Sequence, residues 1–493
     1  MGPRSPIKSG KVNLDDVQGI VRSGYGTLTE AVFLVLAVTD PVAAKNWLAT
    51  APVTTAALER QLSTALHVAL TARGLRRLGL SEEALSTFPA EFLGGMSGEE
   101  SRSRRLGDIG PSAPSTWDWG GTSDTAVDAV VMLYAKSGTL ADWRRTIETS
   151  GFNGGFRLLR ELPTGLIDGN EPFGFPDGSS QPEIDWQQRQ TRHENDQYHY
   201  RNLIAPGEFI LGYANEYGLV TDRPFVSAGA DPHGLLHSCV GDDCRDLGGN
   251  GSYLVIRQLE QDVKGFWQFM EKTTGPGEAA TRLAEKMIGR TRTGMPLVPL
   301  RDGSIAASAA GKDPPNDFDF DNDPSGRMCP LGAHIRRANP RNSDVPGGQQ
   351  SWLSGLLRLL GLPRPQPRTD VIASVRFHRI LRRGRKYEPS RKAGNASPGL
   401  YFICLNANIA RQFEFIQSAW LESSKFDALD GESDPILGRR TPLRDGTPTD
   451  AFTCPADGPP TRIEGMPAFV TVRGGAYFFL PGLRALRYLA TLP

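Results

Sequence analysis

The sequence predicts an α+β fold in which antiparallel sheets are each covered by helices on one face. The chain has 493 residues, which is too long for one simple core and indicates two domains. Strand and helix patterns alternate over residues 12–149, and their strands lie too close together in sequence for a doubly wound parallel sheet. A second series of the same kind begins at Glu208, which suggests duplication of one architecture.

The first series is assigned from hydrophobic periodicity and turn residues. Ser81 precedes a short helical pattern and is its expected N-cap. The predicted strands are Val12–Tyr25, Ala65–Leu70 and the buried strand Ala126–Ala135. The predicted helices are Leu28–Thr50, Ala72–Leu78, Ser81–Leu85 and Leu140–Thr149. Leu58–Thr64 is ambiguous, and Ser97–Gly121 is predicted to be a long surface loop.

The second series follows a polar linker, Glu183–Arg201, so the predicted domains are residues 1–200 and 201–493. Its last strand carries a bulge candidate at Gly474-Gly475, and a helix is expected after Pro481. The predicted strands of this series are Glu208–Tyr213, Ser252–Gln258, Leu400–Leu405 and the last strand, Ala468–Leu480. Helices are predicted over Val263–Met270 and Ile409–Leu421, and a helical insertion over Trp352–Gly361. Gly303–Arg327 is predicted to be an acidic loop.

Composition excludes several classes of partner. Basic and acidic residues balance at 55 each, so no global field attracts nucleic acid or an anionic membrane. The segment Met1–Lys11 is polar, and the apolar run Ala31–Val38 is far too short to span a bilayer. Five cysteines in so long a chain do not make a disulfide framework. We therefore expect a soluble cytoplasmic protein that binds neither nucleic acid nor membrane.

The segment Phe173–Pro182 holds one carboxylate, Asp177, between glycines and prolines. Pro176 fixes its own φ and restricts Phe175, while Gly178 permits positive φ and the close approach of a flat ligand. This pattern predicts a stiff loop that aims one acid at a target. By itself it is more typical of a turn in which the aspartate bonds its own backbone.

Two further segments carry residue types suited to a metal cofactor. His334 is a possible iron ligand, and Arg337 and Arg341 follow it at spacings that could pair with anionic groups. Arg382 lies in a basic stretch and could stabilise developing negative charge. Taken singly, these residues are also compatible with a solvated basic face or a strand end.

A fourth cluster has the spacing H-x3-H-x-C-x4-C. It consists of His233, His237, Cys239 and Cys244, all of which are allowed zinc ligand types. The spacing is irregular and encloses Asp242-Asp243, so a surface loop is the favoured interpretation.

Together these segments resemble the dye-decolorizing (DyP-type) haem peroxidases, in the same order along the chain. Gly174–Gly178 is similar to their G-x-x-D-G motif, Ala333–Arg341 to their proximal-histidine segment, and Ile380–Gly384 to their distal-arginine segment. Pro206–Tyr213, Arg411–Gln417 and Val472–Phe479 also agree, and the resemblance extends from about Val12 to Leu489.

The resemblance implies two ferredoxin-like domains, with one haem b bound in the C-terminal domain. His334 would be the iron ligand and Asp434 the carboxylate that orients it. Asp177 would carry the proton during reduction of hydrogen peroxide, and Arg382 would stabilise the charge, with Arg379 and Arg383 as alternatives. The remaining expected cofactor contacts are Arg337, Gly178, Leu400 and Phe402.

The resemblance also implies the class of reducing substrate. Dyes, phenolics and other aromatic donors would be oxidised, with Tyr387 as the first candidate for a surface electron relay and an ordinary packed tyrosine as the alternative. Aspartate has an ordinary pKa of about 3.9, so activity should be best at acidic pH. The open alternatives are a haem carrier or sensor without peroxidase turnover and a cofactor-free binding module; the protein could be a monomer or a dimer.

Overall fold

The computed structural model describes residues 11–57, 62–165, 167, 169–188, 202–239, 242–301, 303–304, 315–341, 374–388, 397–456 and 458–493. The predicted insertion Trp352–Gly361 lies outside them. In the described chain, the strands are β1 (Glu30–Val38), β2 (Thr64–Leu70), β3 (Ala129–Ala135), β4 (Phe156–Pro163), β5 (Glu183–Ile184), β6 (Leu203–Ile204), β7 (Phe225–Ser227), β8 (His237–Ser238), β9 (Cys244–Asp246), β10 (Ser252–Gln261), β11 (Leu381–Arg382), β12 (Arg385–Tyr387), β13 (Gly399–Asn406), β14 (Phe452–Cys454), β15 (Thr461–Ile463) and β16 (Val470–Leu480).

The helices are short, and most of them connect strands of the central sheet along the sequence. They are α1 (Pro41–Thr50), α2 (Ala72–Arg77), α3 (Glu82–Leu85), α4 (Ala90–Gly94), α5 (Glu100–Leu106), α6 (Leu140–Ile147), α7 (Ser150–Gly155), α8 (Val263–Thr274), α9 (Glu278–Ile288), α10 (His334–Ala338) and α11 (Leu483–Ala490). Two π-helical segments, Ala410–Glu414 and Ile416–Leu421, occupy the region predicted as one helix over Ile409–Leu421.

The two halves of the chain repeat one arrangement, which confirms the α+β prediction and the duplicated ferredoxin-like fold. The first half has the antiparallel order β2-β3-β1-β4, and the second half has the order β11-β13-β10-β16. Each half therefore follows strand–helix–strand–strand–helix–strand, with its first and third strands in the middle of the sheet. A single pairing of Phe479 with Leu70 joins the halves edge to edge into one sheet.

Several predicted bounds were wrong, and β1 shows why. The helix predicted over Leu28–Thr50 is in fact β1 followed by α1. Nearly all of β1 is buried, so its sequence is a continuous apolar run without the alternation that would mark a strand. Asp40 caps α1 by accepting the N–H groups of Val42 and Ala43, which places the helix start there.

Other differences come from turns and short helices. Val12–Tyr25 contains a 3₁₀ turn instead of a strand, and Glu208–Tyr213 is likewise not a strand. The predicted loop Ser97–Gly121 contains α5. The N-cap at Ser81 and the bulge in β16 are confirmed: Ser81 Oγ accepts the N–H of Ala84, and the β10–β16 register shifts beside Gly474.

The sheet is buried on both faces by two large apolar clusters. Alternate residues of β10 and β13 therefore point to opposite sides. Tyr401 packs in one cluster, while Leu259 and Phe402 pack against the other, where the second half of the chain leaves a cavity. No helix among the described residues is long and apolar enough to span a membrane.

Candidate active site

One face of the second-half sheet forms part of a cavity wall. Leu259 and Gln261 of β10, Leu400 and Phe402 of β13, and Val472 of β16 line it at every second position. Helix α10, the second π-helical segment and the loop after β4 supply further wall residues. The cavity thus lies where elements from both halves of the chain meet.

His334, the first residue of α10, lines this cavity and is held by a buried carboxylate. Its Nδ1 lies 3.0 and 3.1 Å from the two carboxylate oxygens of Asp434. Asp434 is fully buried, and its Oδ1 also accepts the N–H groups of Ile436 and Leu437. With Nδ1 engaged, Nε2 is the ring nitrogen that can bind a metal.

The electrostatics of this pair favour a strongly basic imidazole. Burial by itself lowers the pKa of His334, but the charge of Asp434 and its hydrogen bond together outweigh burial and raise that pKa. Burial raises the pKa of Asp434, but the His334 charge and two backbone N–H groups hold it below its ordinary value. The carboxylate therefore remains ionised and fixes the orientation of the ring.

Asp177 and Arg382 also line the cavity and form an ion pair. Arg382 Nη1 donates to Asp177 Oδ1 over 2.7 Å, and both side chains are about 30% exposed, at 31% and 29%. Asp177 Oδ1 additionally accepts the N–H of Gly178 over 2.6 Å. Asp177 is thus both a turn aspartate and a cavity residue, so the two interpretations of its loop are compatible.

The structure separates the three candidate distal arginines. Arg379 lines the cavity together with Arg382. Arg383 points to the other side of the sheet, where its guanidinium donates to the carbonyl oxygens of Ile20 and Val21. Arg382 alone of the three is seen paired with Asp177.

Arg337 is not on the cavity wall, contrary to its predicted role as a cofactor contact. Its guanidinium donates to the carbonyl oxygens of Trp420, Ser423 and Glu432 and lies 5.1 Å from the ring centre of Phe426. Those carbonyl groups are in buried backbone and need donors, so the cation is used for structure.

Neither Gly178 nor Tyr387 lines the cavity. Gly178 has φ of +86°, which explains the glycine, while its neighbours Asp177 and Ser179 form the wall. Tyr387 is only 7% exposed and stacks on Tyr401 at 4.5 Å, on the sheet face away from Leu400. The sequence-based expectation that Tyr387 lies on the surface was wrong, because its strand turns the ring inward.

The cavity also contains residues that sequence reasoning missed. They are a half-buried acid, a polar amide, a cation, an imidazole and an indole: Glu171, Gln261, Arg290, His378 and Trp420. The signal for Glu171 and for Arg290 was too weak to find, because single charged residues in unrelated segments share no spacing. Arg341, noted beside His334, lines the cavity as expected of a basic residue in that segment.

A haem group fits the chemistry of this wall. The wall offers one imidazole nitrogen for iron, apolar side chains for a flat macrocycle, and cations suited to carboxylates in Arg290, Arg341 and Arg379. Within the described chain, the buried polar atoms Ser179 Oγ and Gln261 Oε1 have no protein hydrogen-bond partner. Both residues line the cavity, which suits an occupant with polar groups.

The cluster His233, His237, Cys239 and Cys244, whose residue types are allowed zinc ligands, contains a disulfide. Cys239 and Cys244 are joined in a disulfide, whereas sequence spacing had favoured a plain surface loop. The bond staples the hairpin of β8 and β9. The described residues contain no cluster of His, Cys, Asp and Glu side chains arranged for a metal ion.

The chain is similar in sequence to several known proteins. No family model matches the sequence. The chain is 29% identical over 456 residues to the multifunctional dye peroxidase DyP2 of Amycolatopsis sp., covering 86% of this chain and 82% of that protein. It is 28% identical over 515 residues to the dye-decolorizing peroxidase msp1 of Mycetinis scorodonius, covering 98% and 88%.

Solved structures show the same fold. The DyP-type peroxidase of Anabaena sp. superimposes with a TM-score of 0.69 at 20% identity, covering 100% of this chain and 99% of that one. An ancestral D-type dye-decolorizing peroxidase gives 0.70 at 24% identity, covering 97% and 99%. The chain is thus similar in sequence to proteins named as dye peroxidases, and it shares the fold of DyP-type peroxidases over nearly its whole length.

Proposed function

We propose that this chain uses one haem b to reduce hydrogen peroxide and oxidises dyes, phenolics and other aromatic donors. The observation that carries the proposal is that the His334–Asp434 and Asp177–Arg382 pairs face one cavity. A haem carrier or sensor would need the first pair only. The second pair supplies an acid–base group and a cation, which are the groups that peroxide reduction requires.

The residues divide the work as follows. His334 would hold the iron of the haem through Nε2, and Asp434 keeps the His334 ring oriented and electron-rich. Haem supplies the redox chemistry by which peroxide is reduced. Asp177 accepts the proton from one peroxide oxygen and returns it to the other, and Arg382 stabilises the negative charge that develops between these events.

Activity best at acidic pH follows from the choice of acid. A carboxylate with an ordinary pKa near 4 is still a base in mildly acid solution, where a histidine would already be protonated. Arg382 Nη1 holds the carboxylate of Asp177 at the cavity by an ion pair of 2.7 Å. Asp177 is therefore ready to take a proton when peroxide arrives.

The direct test is oxidation of 2,6-dimethoxyphenol, the ligand named in one solved DyP complex. Purified haem-loaded protein should oxidise this phenol only when hydrogen peroxide is present. The product is followed by absorbance across pH 3 to 8, and the rate should be greatest on the acid side. Haem binding without peroxide-dependent oxidation would favour the carrier or sensor alternative.

A haem held inside the cavity would be out of reach of a bulky dye, so we place dye oxidation at a surface aromatic residue. Tyr217 is 47% exposed and stacks on Phe377 with ring centres 4.1 Å apart. Phe377 contacts His378 at 5.6 Å, and His378 lies 5.3 Å from Trp420. His378 and Trp420 both line the cavity, so a continuous series of rings joins it to the surface.

Replacing Tyr217 with phenylalanine should slow oxidation of a bulky anthraquinone dye by about 10-fold, equivalent to about 1.4 kcal/mol of barrier. The substitution removes the phenolic hydroxyl, so the surface group can no longer be oxidised readily. The ring itself remains and still packs on Phe377. Oxidation of 2,6-dimethoxyphenol at the cavity should change less. Tyr387→Phe is the matched variant: a larger dye-specific loss there would assign the relay to Tyr387 and Tyr401 instead.

Location and assembly remain predictions. The cytoplasmic location expected from the sequence is matched by no structural finding, and a disulfide such as Cys239–Cys244 is more typical of oxidising compartments. The free thiols of protein isolated from its native cells distinguish a cytoplasmic location from an oxidising compartment. Free thiols at Cys239 and Cys244 would favour the cytoplasm, and an intact disulfide would favour the oxidising compartment. Sedimentation of the purified protein decides between monomer and dimer.

A further inference from the structure

The loop that carries Asp177 folds back on itself. The N–H of Asp177 donates to the carbonyl oxygen of Gly169 over 3.1 Å, and Asn170 and Pro176 form an antiparallel bridge. Inside this hairpin, the N–H of Glu171 donates to the carbonyl oxygen of Phe175 over 2.9 Å. The position of Asp177 is therefore set by how the short turn between residues 171 and 175 closes.

The carboxylate of Glu171 closes that turn. Its Oε2 accepts the N–H of Phe173 over 2.9 Å, and its Oε1 accepts the N–H of Phe175 over 3.0 Å. These bonds satisfy two backbone N–H groups that a tight loop would otherwise leave without acceptors. An unsatisfied N–H group in a buried loop would destabilise that loop. Gly174, between them, has φ of +97°, a conformation that glycine adopts without strain.

Glu171 also ties the loop to the central sheet. Gln261, at the end of β10, donates from Nε2 to Glu171 Oε2 over 2.8 Å. Gln261 is buried and lies on the same wall of the cavity as Glu171 and Asp177. A single carboxylate thus connects the catalytic loop to a rigid strand, six residues before the acid that the loop presents.

Packing supports the same loop from the other side. The ring of Phe173 lies 4.5 Å from that of Phe266 in α8, and both belong to one buried cluster. Packing fixes where the loop sits, but it does not fix the direction of the backbone N–H groups. That direction is determined by the two bonds to Glu171.

We propose that Glu171 is the positioning residue for Asp177, holding the turn of its loop closed and anchoring it to Gln261 so that the Asp177 carboxylate meets peroxide in a productive geometry. The inference rests on the proposed peroxidase function. It assigns no proton transfer to Glu171, because both of its oxygens already accept hydrogen bonds.

The hydrogen bonds around the carboxylate agree with this role. Burial raises the pKa of Glu171 and outweighs the N–H groups of Phe173 and Phe175 and the amide of Gln261, which act to lower that pKa. These three donors need an acceptor, and the two oxygens of Glu171 supply it. A neutral amide at this position would direct its own NH₂ group against one of the backbone donors.

The test compares Glu171→Gln with a matched control, Glu260→Gln. Glu260 is the residue before Gln261 on β10, and it pairs with Arg473 outside the cavity, so the control removes the same charge from the same region. In the haem-loaded protein, Glu171→Gln should lower the rate constant with peroxide on the order of 100-fold, as a misplacement of about 1 Å does. Haem absorbance and the control should be unchanged.

The double variant with Asp177→Asn separates positioning from general damage. If Glu171 acts through Asp177, adding Glu171→Gln to Asp177→Asn should cause little further loss. Hydrogen exchange of the haem-free protein gives a readout independent of turnover. One of the two amides of residues 173 and 175 should exchange about 10-fold faster in Glu171→Gln, since the new NH₂ group replaces one of the two acceptor oxygens.

The inference is overturned if Glu171→Gln reacts with peroxide at the parental rate, or if its full loss persists on the Asp177→Asn background. Should Glu171→Gln fail to fold, Gln261→Leu removes only the anchor and should produce a smaller loss of about 10-fold; parental kinetics there overturn it equally. A parental protein that binds haem but ignores peroxide would instead refute the proposed function, and the exchange experiment would still report on the loop.

Discussion

Asparagine in place of Asp177 is expected to lower the rate constant for reaction with hydrogen peroxide on the order of 10²- to 10⁴-fold, the usual contribution of a positioned acid–base group. The amide is nearly the same size, so it can still meet Arg382, but it cannot accept the peroxide proton. The loss should be greatest in mildly acid solution. There a carboxylate can still accept a proton, whereas other bases such as histidine are already protonated.

The measurement is stopped-flow absorbance in the Soret region after mixing with peroxide, for the parental protein and Asp177→Asn at several pH values. The Soret band before mixing should be the same in both proteins, because Asp177 does not hold the haem. A glutamate variant is an informative control, since it restores a carboxylate but alters its reach. Unchanged peroxide kinetics in Asp177→Asn would remove Asp177 from the mechanism.

Alanine in place of His334 should abolish or greatly weaken haem binding. His334 is the imidazole of α10 that lines the cavity, and its replacement also leaves the fully buried carboxylate of Asp434 without its main partner. An uncompensated buried charge costs on the order of 3–5 kcal/mol, so the variant should be less stable as well. Haem titration followed by absorbance, with denaturant unfolding of the haem-free protein, measures both effects.

Asp434→Asn is the milder companion of this variant. It keeps the ring of His334 near its place but weakens the bond that orients Nδ1. Loss of such a supporting carboxylate usually lowers metal affinity or activity by about 10- to 100-fold. Full haem affinity in His334→Ala would show that another residue holds the iron.

Much of the site could be predicted because its key residues lie in short ordered motifs. Asp177, His334 and Arg382 come from three distant segments, and the structure brings all of them to one cavity. Asp434 was expected only through family resemblance, since an Asp-Pro turn has no local feature that points to a histidine one hundred residues away. The structure shows the contact directly.

The incorrect predictions have a common physical origin. Sequence spacing placed Arg337 beside His334, but the carbonyl groups that bind its guanidinium come from distant backbone that no local pattern reveals. Tyr387 was expected at the surface, although β12 pairs with β13 and turns its ring inward onto Tyr401. Tertiary contacts, rather than local propensity, decided both cases.

The fold likewise divides into elements that local sequence predicts and elements that depend on tertiary contacts. Amphipathic and capped elements such as α3 were predicted closely, whereas β1 was mistaken for a helix because it is buried on both faces. The π-helical segment Ile416–Leu421, which supplies part of the cavity wall, has no distinguishing composition and was predicted as an ordinary helix.

The most direct test of the central claim is an absorbance scan of the purified haem-loaded protein before and after one equivalent of hydrogen peroxide at mildly acid pH. The account predicts a Soret band that requires His334, shifts rapidly on addition of peroxide, and returns when 2,6-dimethoxyphenol is added. A protein that takes up no haem, or one whose Soret band is indifferent to peroxide, would contradict it.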